Sequence, residues 1–368
     1  MQSKNISYIP AIDQIRGIAA IWILFFHAYQ LIGSYVKNNK PFSGVSMWEF
    51  SNNPLLIPLI EGHTAVALFM VLSGFIFTYG SIGKTIHYTG FITNRFLRIY
   101  PLYLTLIFVA LAATPKAFNL PSFLSMVLPL ADFQSLETGP LTAMAWAIGV
   151  EFQFYLLFPL LFKLAADKPF KTIAMWLLAV NLLRVLAVIL GGNTRDLTYW
   201  HLAGRIDQFL LGMLAAFWLK NHLPSKDLCR RLFLASMPIS LLALAYYHSL
   251  GGWPSTSAWK VLWPTIEGAI WAIFIVGFVG AKLKNKSWCG LFLQWIGVRS
   301  FSIYLLHFPI IQFLCKYPAL LPKLTGEWRV DVLLISVFIV LPITIAISNI
   351  TWNAIEKPFL NLRVAYIK

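Results

Sequence analysis

The stretch Asp13–Gln30, DQIRGIAAIWILFFHAYQ, decides how the rest of the chain is read. It is an apolar helix with a cation at one end and a lone imidazole deep inside. Arg16 and His27 are eleven residues apart, about 16 Å of axial rise, and eleven steps of about 100° return them to nearly one face. One helix thus places a charged group at a membrane surface and a titratable group well into the hydrocarbon. An ionisable residue at that depth faces the protein interior or a water-filled cavity, as a functional group or as a structural one bonded to a neighbouring helix.

Composition fixes the class. Of the 368 residues 58% are hydrophobic, only 12% are charged, and the mean hydropathy is +0.71. A soluble domain carries about 25% charged residues, so the chain reads as an all-α integral membrane protein. Spans and short connections consume nearly all of it. A single transmembrane domain over residues 1–368 is expected, with no additional soluble domain. The first apolar run lacks a small-residue cleavage site and reads as a retained signal anchor. The net charge of +15 needs no nucleic acid as partner, because the basic residues gather in short loops, as cytoplasmic flanks of membrane helices do. Cys229, Cys289 and Cys315 have no metal or disulfide spacing; no metal site is expected.

The apolar runs give ten candidate spans: Ile15–Tyr35, Thr64–Gly80, Leu102–Pro115, Ala143–Phe162, Thr172–Leu190, Ala203–Leu219, Leu232–Tyr247, Trp259–Gly280, Phe301–Cys315 and Val332–Ile350. With both termini in the cytoplasm, most of the 29 Lys and Arg fall on the inner side, including Lys4, Arg95, Arg98, Lys282, Lys284, Lys286 and Lys368. Leu120–Leu130 is apolar but too short to span and is placed as an interfacial or re-entrant piece. Trp48, Tyr199, Trp200, Trp253 and Trp259 fall near outer ends and read as interfacial anchors.

Three further groups carry polar chemistry. Arg95 and Arg98, in NRFLRIYPLYL, project from one side of a helical turn. Two guanidiniums so held suit bidentate phosphate binding, although a positive-inside anchor has the same composition. Glu151, in WAIGVEFQFYLLFPLLFK, lies about 18 Å above the inner boundary set by Lys163. It must be paired, protonated or open to a cavity. Tyr155 can share its face, Trp146 lies five residues before it, and Arg184 comes out at the same depth as an available ion-pair partner. Arg205 and Asp207 sit near the outer end of the sixth span and Glu267 in the outer part of the eighth. Each could be a buried ion pair; together they put a polar lining in the outer half of the bundle, with the arginine pair at the inner face. His307 is a lone histidine on an apolar helix and reads as packed and hydrogen-bonded. His63, after Glu61 at an outer boundary, reads as a solvated loop group.

The motifs DQIRGIAAIWILFFH, FMVLSGFIF, RFLRIYPLY, WAIGVEFQFYLLFPLL, FSIYLLHFPI and IEKPFLNL, in this order, make the chain resemble the membrane-bound acyltransferase-3 family, whose members O-acylate carbohydrates such as lipopolysaccharide O-antigen, peptidoglycan and exported polysaccharides. The resemblance covers Asp13 to about Leu362. Arg16 and His27 match the family's basic residue and the histidine that follows it, Arg95 and Arg98 its paired arginines, Glu151 its fourth-span glutamate, and His307 its ninth-span motif. The chain departs from the family where Ala147 and Gly149 replace common serines and Phe152 a second acid.

The resemblance implies an inner-membrane O-acetyltransferase that moves an acetyl group from acyl-CoA to a hydroxyl of a cell-surface or lipid-linked carbohydrate, with acetyl-CoA as donor substrate and no bound cofactor. In that reaction His27 is the general base and Glu151 orients it or binds the acceptor. Arg95 and Arg98 hold the donor phosphates, and Arg16 either continues that positive path or is structural. A multispan transporter or lipid-linked glycan flippase is the alternative, since spans, a polar midplane and cytoplasmic arginines would serve it too.

Overall fold

The computed structural model describes Asn5 and residues 7–132, 139, 141–282 and 287–368. Lys4, Lys284 and Lys286, assigned above to the inner side, lie outside the described residues. Within these, the protein is an all-helical multi-pass membrane bundle; one isolated bridge, Ile86 to Ile367, is its only extended pairing.

The long helices are α1 (Pro10–Asn38), α2 (Thr64–Ser81), α3 (Tyr88–Ala113), α4 (Ala145–Ala165), α5 (Pro169–Ile189), α6 (Leu202–His222), α7 (Lys226–Ser249), α8 (Trp263–Gly280), α9 (Trp288–Val298), α10 (Ser300–Lys316) and α11 (Trp328–Asn361). Among the described residues nine helices are long and apolar enough to cross a membrane, or ten if α9 and α10 count as one span bent by 77°. The ninth expected span is therefore the second limb of a broken pair. Leu120–Val127 is a short helix, begun by a capping box between Asn119 and Ser122. The third span begins at Tyr88, well before the expected Leu102, so Arg95 and Arg98 stand inside a helix rather than in a loop before it. Charge depressed the hydropathy of a segment whose arginines turn into the protein.

α1 starts with Pro10 in its first turn and Asp13 near its positive end, and stops at Asn39 in the left-handed conformation (φ 53°). It packs against α2, α9, α10 and the start of α11. α2 in turn lies against α6, where a Cβ on Gly74 would strike the Phe209 carbonyl and one on Gly212 the Val71 carbonyl. Without a hydrophobic drive between helices in lipid, such small residues let backbones close up and dispersion hold them. α5 and α7 lie outside; Leu178, Leu182, Leu183, Leu186 and Ile189 of α5 are exposed, as a lipid-facing surface should be.

Two ends of the bundle differ in chemistry, and they are called here the basic face and the aromatic face. The basic face is closed by the segment after α11. Asn94 donates to the Val364 carbonyl (2.7 Å) and accepts from its N–H (2.9 Å). The N–H groups of Thr85 and His87 donate to the carbonyls of Lys368 and Tyr366.

Candidate active site

Three adjoining cavities run beside α1. The first opens at the basic face, holds about 600 Å³, and is lined by Arg16, Arg95, Arg98, Arg299, Lys357 and Arg363. Two of these cations are already paired: Arg16 with Asp13 (3.0 Å) and Arg98 with Glu356 (3.0 Å). Glu356 is buried and also accepts from Ser302. It sits in a π-helical turn, Trp352–Glu356, a local rewinding common at functional sites. Arg95 has no ion pair among the described residues; its guanidinium lies over the Phe77 ring at 4.7 Å. Burial, then Arg98, Arg95 and Arg16, lower the Arg363 guanidinium to about 9. It is still a cation at neutral pH. A pocket that opposes its own cations in this way favours an incoming anion.

The second cavity is a throat of about 110 Å³. It shares Arg16, Phe77, Arg95 and Arg98 with the first and continues past Ser73, Glu151, Tyr155 and Tyr304. Ser73 Oγ donates to Glu151 Oε1 (2.9 Å), and the Tyr155 hydroxyl donates to the same oxygen. The carboxylate is thus fixed between α2 and α4, which offsets its removal from water.

The third cavity, about 320 Å³, lies toward the aromatic face and shares Val66 and Tyr304 with the throat. His27, Gln30 and Gln312 line it together with Trp48, Trp146, Tyr199, Trp200 and Trp253. Trp48 and Trp253 stack at 5.1 Å, and Trp146 approaches Tyr199 at 5.1 Å and Trp200 at 4.9 Å. The expected membrane anchors Trp48, Tyr199, Trp200 and Trp253 are therefore walls of a chamber. Only Trp259 lies away from it, against Tyr247 and Trp263.

At the chamber, His27 Nδ1 is 2.9 Å from His307 Nε2. The partners fix the tautomers. His307 Nδ1 faces the Ile303 carbonyl at 2.9 Å, and a carbonyl only accepts, so that nitrogen carries the proton and Nε2 of the neutral ring accepts. His27 Nδ1–H then donates to it, and the lone pair of neutral His27 is left on Nε2. His27 lines the chamber while His307 is fully buried behind it, so the ring edge away from His307 is the one presented to a ligand. An oriented imidazole with a free lone pair, on an aromatic chamber joined by a throat to an arginine-lined cavity, is suited to removing a proton from a bound hydroxyl.

A family described as an acyltransferase domain matches residues 9–352. The chain belongs to the acyltransferase-3 family. An O-acetyltransferase of Staphylococcus aureus strain COL, provisionally so named, is 25% identical over 409 residues, covering 99% of this chain and 60% of its own length. O-acetyltransferase OatA of S. aureus strain NCTC 8325 is 25% identical over 385 residues, covering 95% of this chain and 57% of its own. The chain spans about three fifths of the length of these curated relatives. No solved structure matches it.

In this acyltransferase-3 chain the remaining polar residues of the spans divide into wall and lining. Tyr155 lines the throat and Trp146 the chamber. Arg184 does not reach Glu151: it pairs with Asp207 at 2.8 Å, and its other nitrogens donate to the Ala203 and Val261 carbonyls. Arg205 meets Glu267 at 3.6 Å, donates to the Tyr199 carbonyl and lies over the Tyr199 ring. These four residues line none of the three cavities; they brace the chamber from behind. Glu151 makes its hydrogen bonds to Ser73 and Tyr155, and the partner of the His27 ring is His307. His63 is buried, not solvated, and shares Glu61 with His248 (3.0 and 2.7 Å). Burial would push the Glu61 carboxyl up, but these two hydrogen bonds hold it below the usual range.

Sequence reasoning passed over Ser73, Tyr304, Glu356 and Arg363. Glu356 had a signal, since it stands in the IEKPFLNL motif; Tyr304 stands three residues before His307 in another.

Proposed function

We propose that the protein is an inner-membrane O-acyltransferase that carries an acetyl group from cytoplasmic acetyl-CoA to a hydroxyl of a cell-surface or lipid-linked carbohydrate. The observation that carries this reading is the free Nε2 of His27 on a chamber joined by a throat to an arginine-lined cavity. The phosphates of coenzyme A occupy the basic cavity, the pantetheine arm enters the throat, and the sugar stacks on the tryptophans of the chamber. The acceptor oxygen attacks the thioester carbonyl while its proton passes to His27 Nε2. The tetrahedral adduct collapses, the carbon–sulfur bond breaks, and the departing thiolate takes the proton from the imidazolium. Ester and free thiol are the products. Membership of the acyltransferase-3 family supports this reading over a transporter or flippase. The names of the S. aureus relatives support the O-acetyl assignment.

Titration of the purified protein with acetyl-CoA tests the donor. Arg95→Ala should weaken binding by about 1.5–3 kcal/mol, the worth of a hydrogen bond to a charged group. Lysine should restore only part of it, since it lacks the planar fork. Arg95 is a cleaner test than Arg98, whose removal also strands the buried Glu356. Undiminished affinity in Arg95→Ala would return that residue to a topological role.

The orientation follows from the basic face being cytoplasmic. With exposed Cys289 replaced by serine, cysteines at Asn193 and Thr256, both exposed, should react with an impermeant maleimide on intact cells. A reporter fused after Lys368 should report from the cytoplasm. Labelling of Asn193→Cys only after permeabilisation would invert the proposed direction of transfer.

A further inference from the structure

Donor and acceptor arrive from opposite cavities, so the reacting carbonyl must sit where throat and chamber meet. Two residues line both: Val66 and Tyr304. Val66 offers only a hydrocarbon surface. Tyr304 is 7% exposed, and its hydroxyl is buried with no hydrogen-bond partner among the described residues. Its ring lies 5.9 Å from that of His307 and 6.3 Å from that of Phe69. It thus stands one helical turn before the residue that orients His27, on the same helix, α10. A buried hydroxyl with its hydrogen bond unmade is costly, and at the meeting point of two cavities a bound ligand is one partner that would satisfy it.

We propose that Tyr304 is a catalytic residue whose O–H donates a hydrogen bond to the thioester carbonyl oxygen and to the oxyanion it becomes. This rests on the acyl-transfer function proposed above. As the acceptor oxygen bonds to the carbonyl carbon, the π pair moves onto the carbonyl oxygen and the Tyr304 O–H holds that charge. The proton of the acceptor is meanwhile on His27, and when the C–S bond breaks the pair returns to re-form the carbonyl. Tyr304 keeps its proton throughout; it supplies a fixed dipole, the term most effective in a site shielded from water. The arrangement divides the labour on one short stretch of α10: His307 sets the base, and Tyr304 receives the charge the base creates.

The test uses the full-length chain in lipid nanodiscs with acetyl-CoA as donor and methyl β-glucopyranoside or water as acceptor, read as thiol release. Tyr304→Phe keeps the ring and its packing. It should lower kcat by about 10²–10³-fold, the loss on removing one oxyanion donor, with the KM for acetyl-CoA unchanged within a few-fold. Infrared spectra of acetyl-CoA labelled with ¹³C at the thioester carbonyl, bound to the His27→Gln protein, supply a second readout. The carbonyl stretch should fall in frequency on binding, and the shift should vanish in His27→Gln/Tyr304→Phe. A Tyr304→Phe protein within threefold of wild-type kcat, or an infrared shift that survives the loss of the hydroxyl, overturns the proposal while leaving acyl transfer intact. If the wild-type protein neither binds nor cleaves acetyl-CoA, the proposed function fails and Tyr304's role with it.

Discussion

His27→Gln should insert, fold and bind acetyl-CoA, yet transfer almost nothing, with a loss of about 10²–10⁴-fold, the contribution of a positioned general base. Glutamine is the informative replacement. Its amide can still donate to His307 Nε2, so the contact between α1 and α10 survives, but it cannot take up the acceptor's proton. His27→Ala should be equally inactive and should also open the contact at 2.9 Å. The measurement is thiol release normalised to membrane-inserted protein, beside donor affinity for both variants. A purely structural histidine gives the opposite pattern: near-native transfer by glutamine and reduced abundance of the alanine protein. Near-native transfer by His27→Gln would therefore sink the base assignment and leave the His27–His307 pair as packing.

The second large effect lies behind the chamber and concerns stability. Asp207 is fully buried against Arg184 and also accepts from Thr265 at 2.6 Å. Asp207→Leu leaves the Arg184 guanidinium in hydrocarbon with carbonyls alone for company, and breaking a buried pair in this way costs about 3–5 kcal/mol. The double replacement Arg184→Met/Asp207→Leu removes both charges and should recover most of that loss, because a well-packed apolar pair matches a buried ion pair in stability. Thermal unfolding in detergent reads the difference. Transfer per folded molecule should change little in the double variant, since neither side chain lines a cavity. A double variant no more stable than Asp207→Leu would mean that the charges do more than cancel one another.

The spans were legible because bilayer thickness imposes a length and a composition that hydropathy reads directly. That same averaging hid the true start of α3, whose arginines point inward, and the 77° break between α9 and α10. Helical arithmetic put Arg16 and His27 on one line, and the structure lays all three cavities along it. What arithmetic along one helix cannot supply is the rotation of its neighbour. Hence His307 read as packed and hydrogen-bonded, as it is, but its partner His27 went unnamed, and Arg184 was matched with Glu151 by depth when Asp207 lay at closer range. The tryptophans make the same point. Amphipathic rings at a helix end suit both a lipid headgroup layer and a sugar-sized chamber, and only packing tells which they face. Glu356 stood inside a quoted motif and Arg363 just after it, but both lie past the last apolar run, where helical depth gives no partner.

The closure of the basic face joins the segment before the first span to the segment after the last. The arginine cavity takes its walls from Ser7 and Tyr8 before α1 and from Arg363 and Tyr366 after α11, and Asn94 fastens the later segment in place. On the proposed function, donor binding needs both segments in place, since without the later one the cradle for the phosphates lacks a wall.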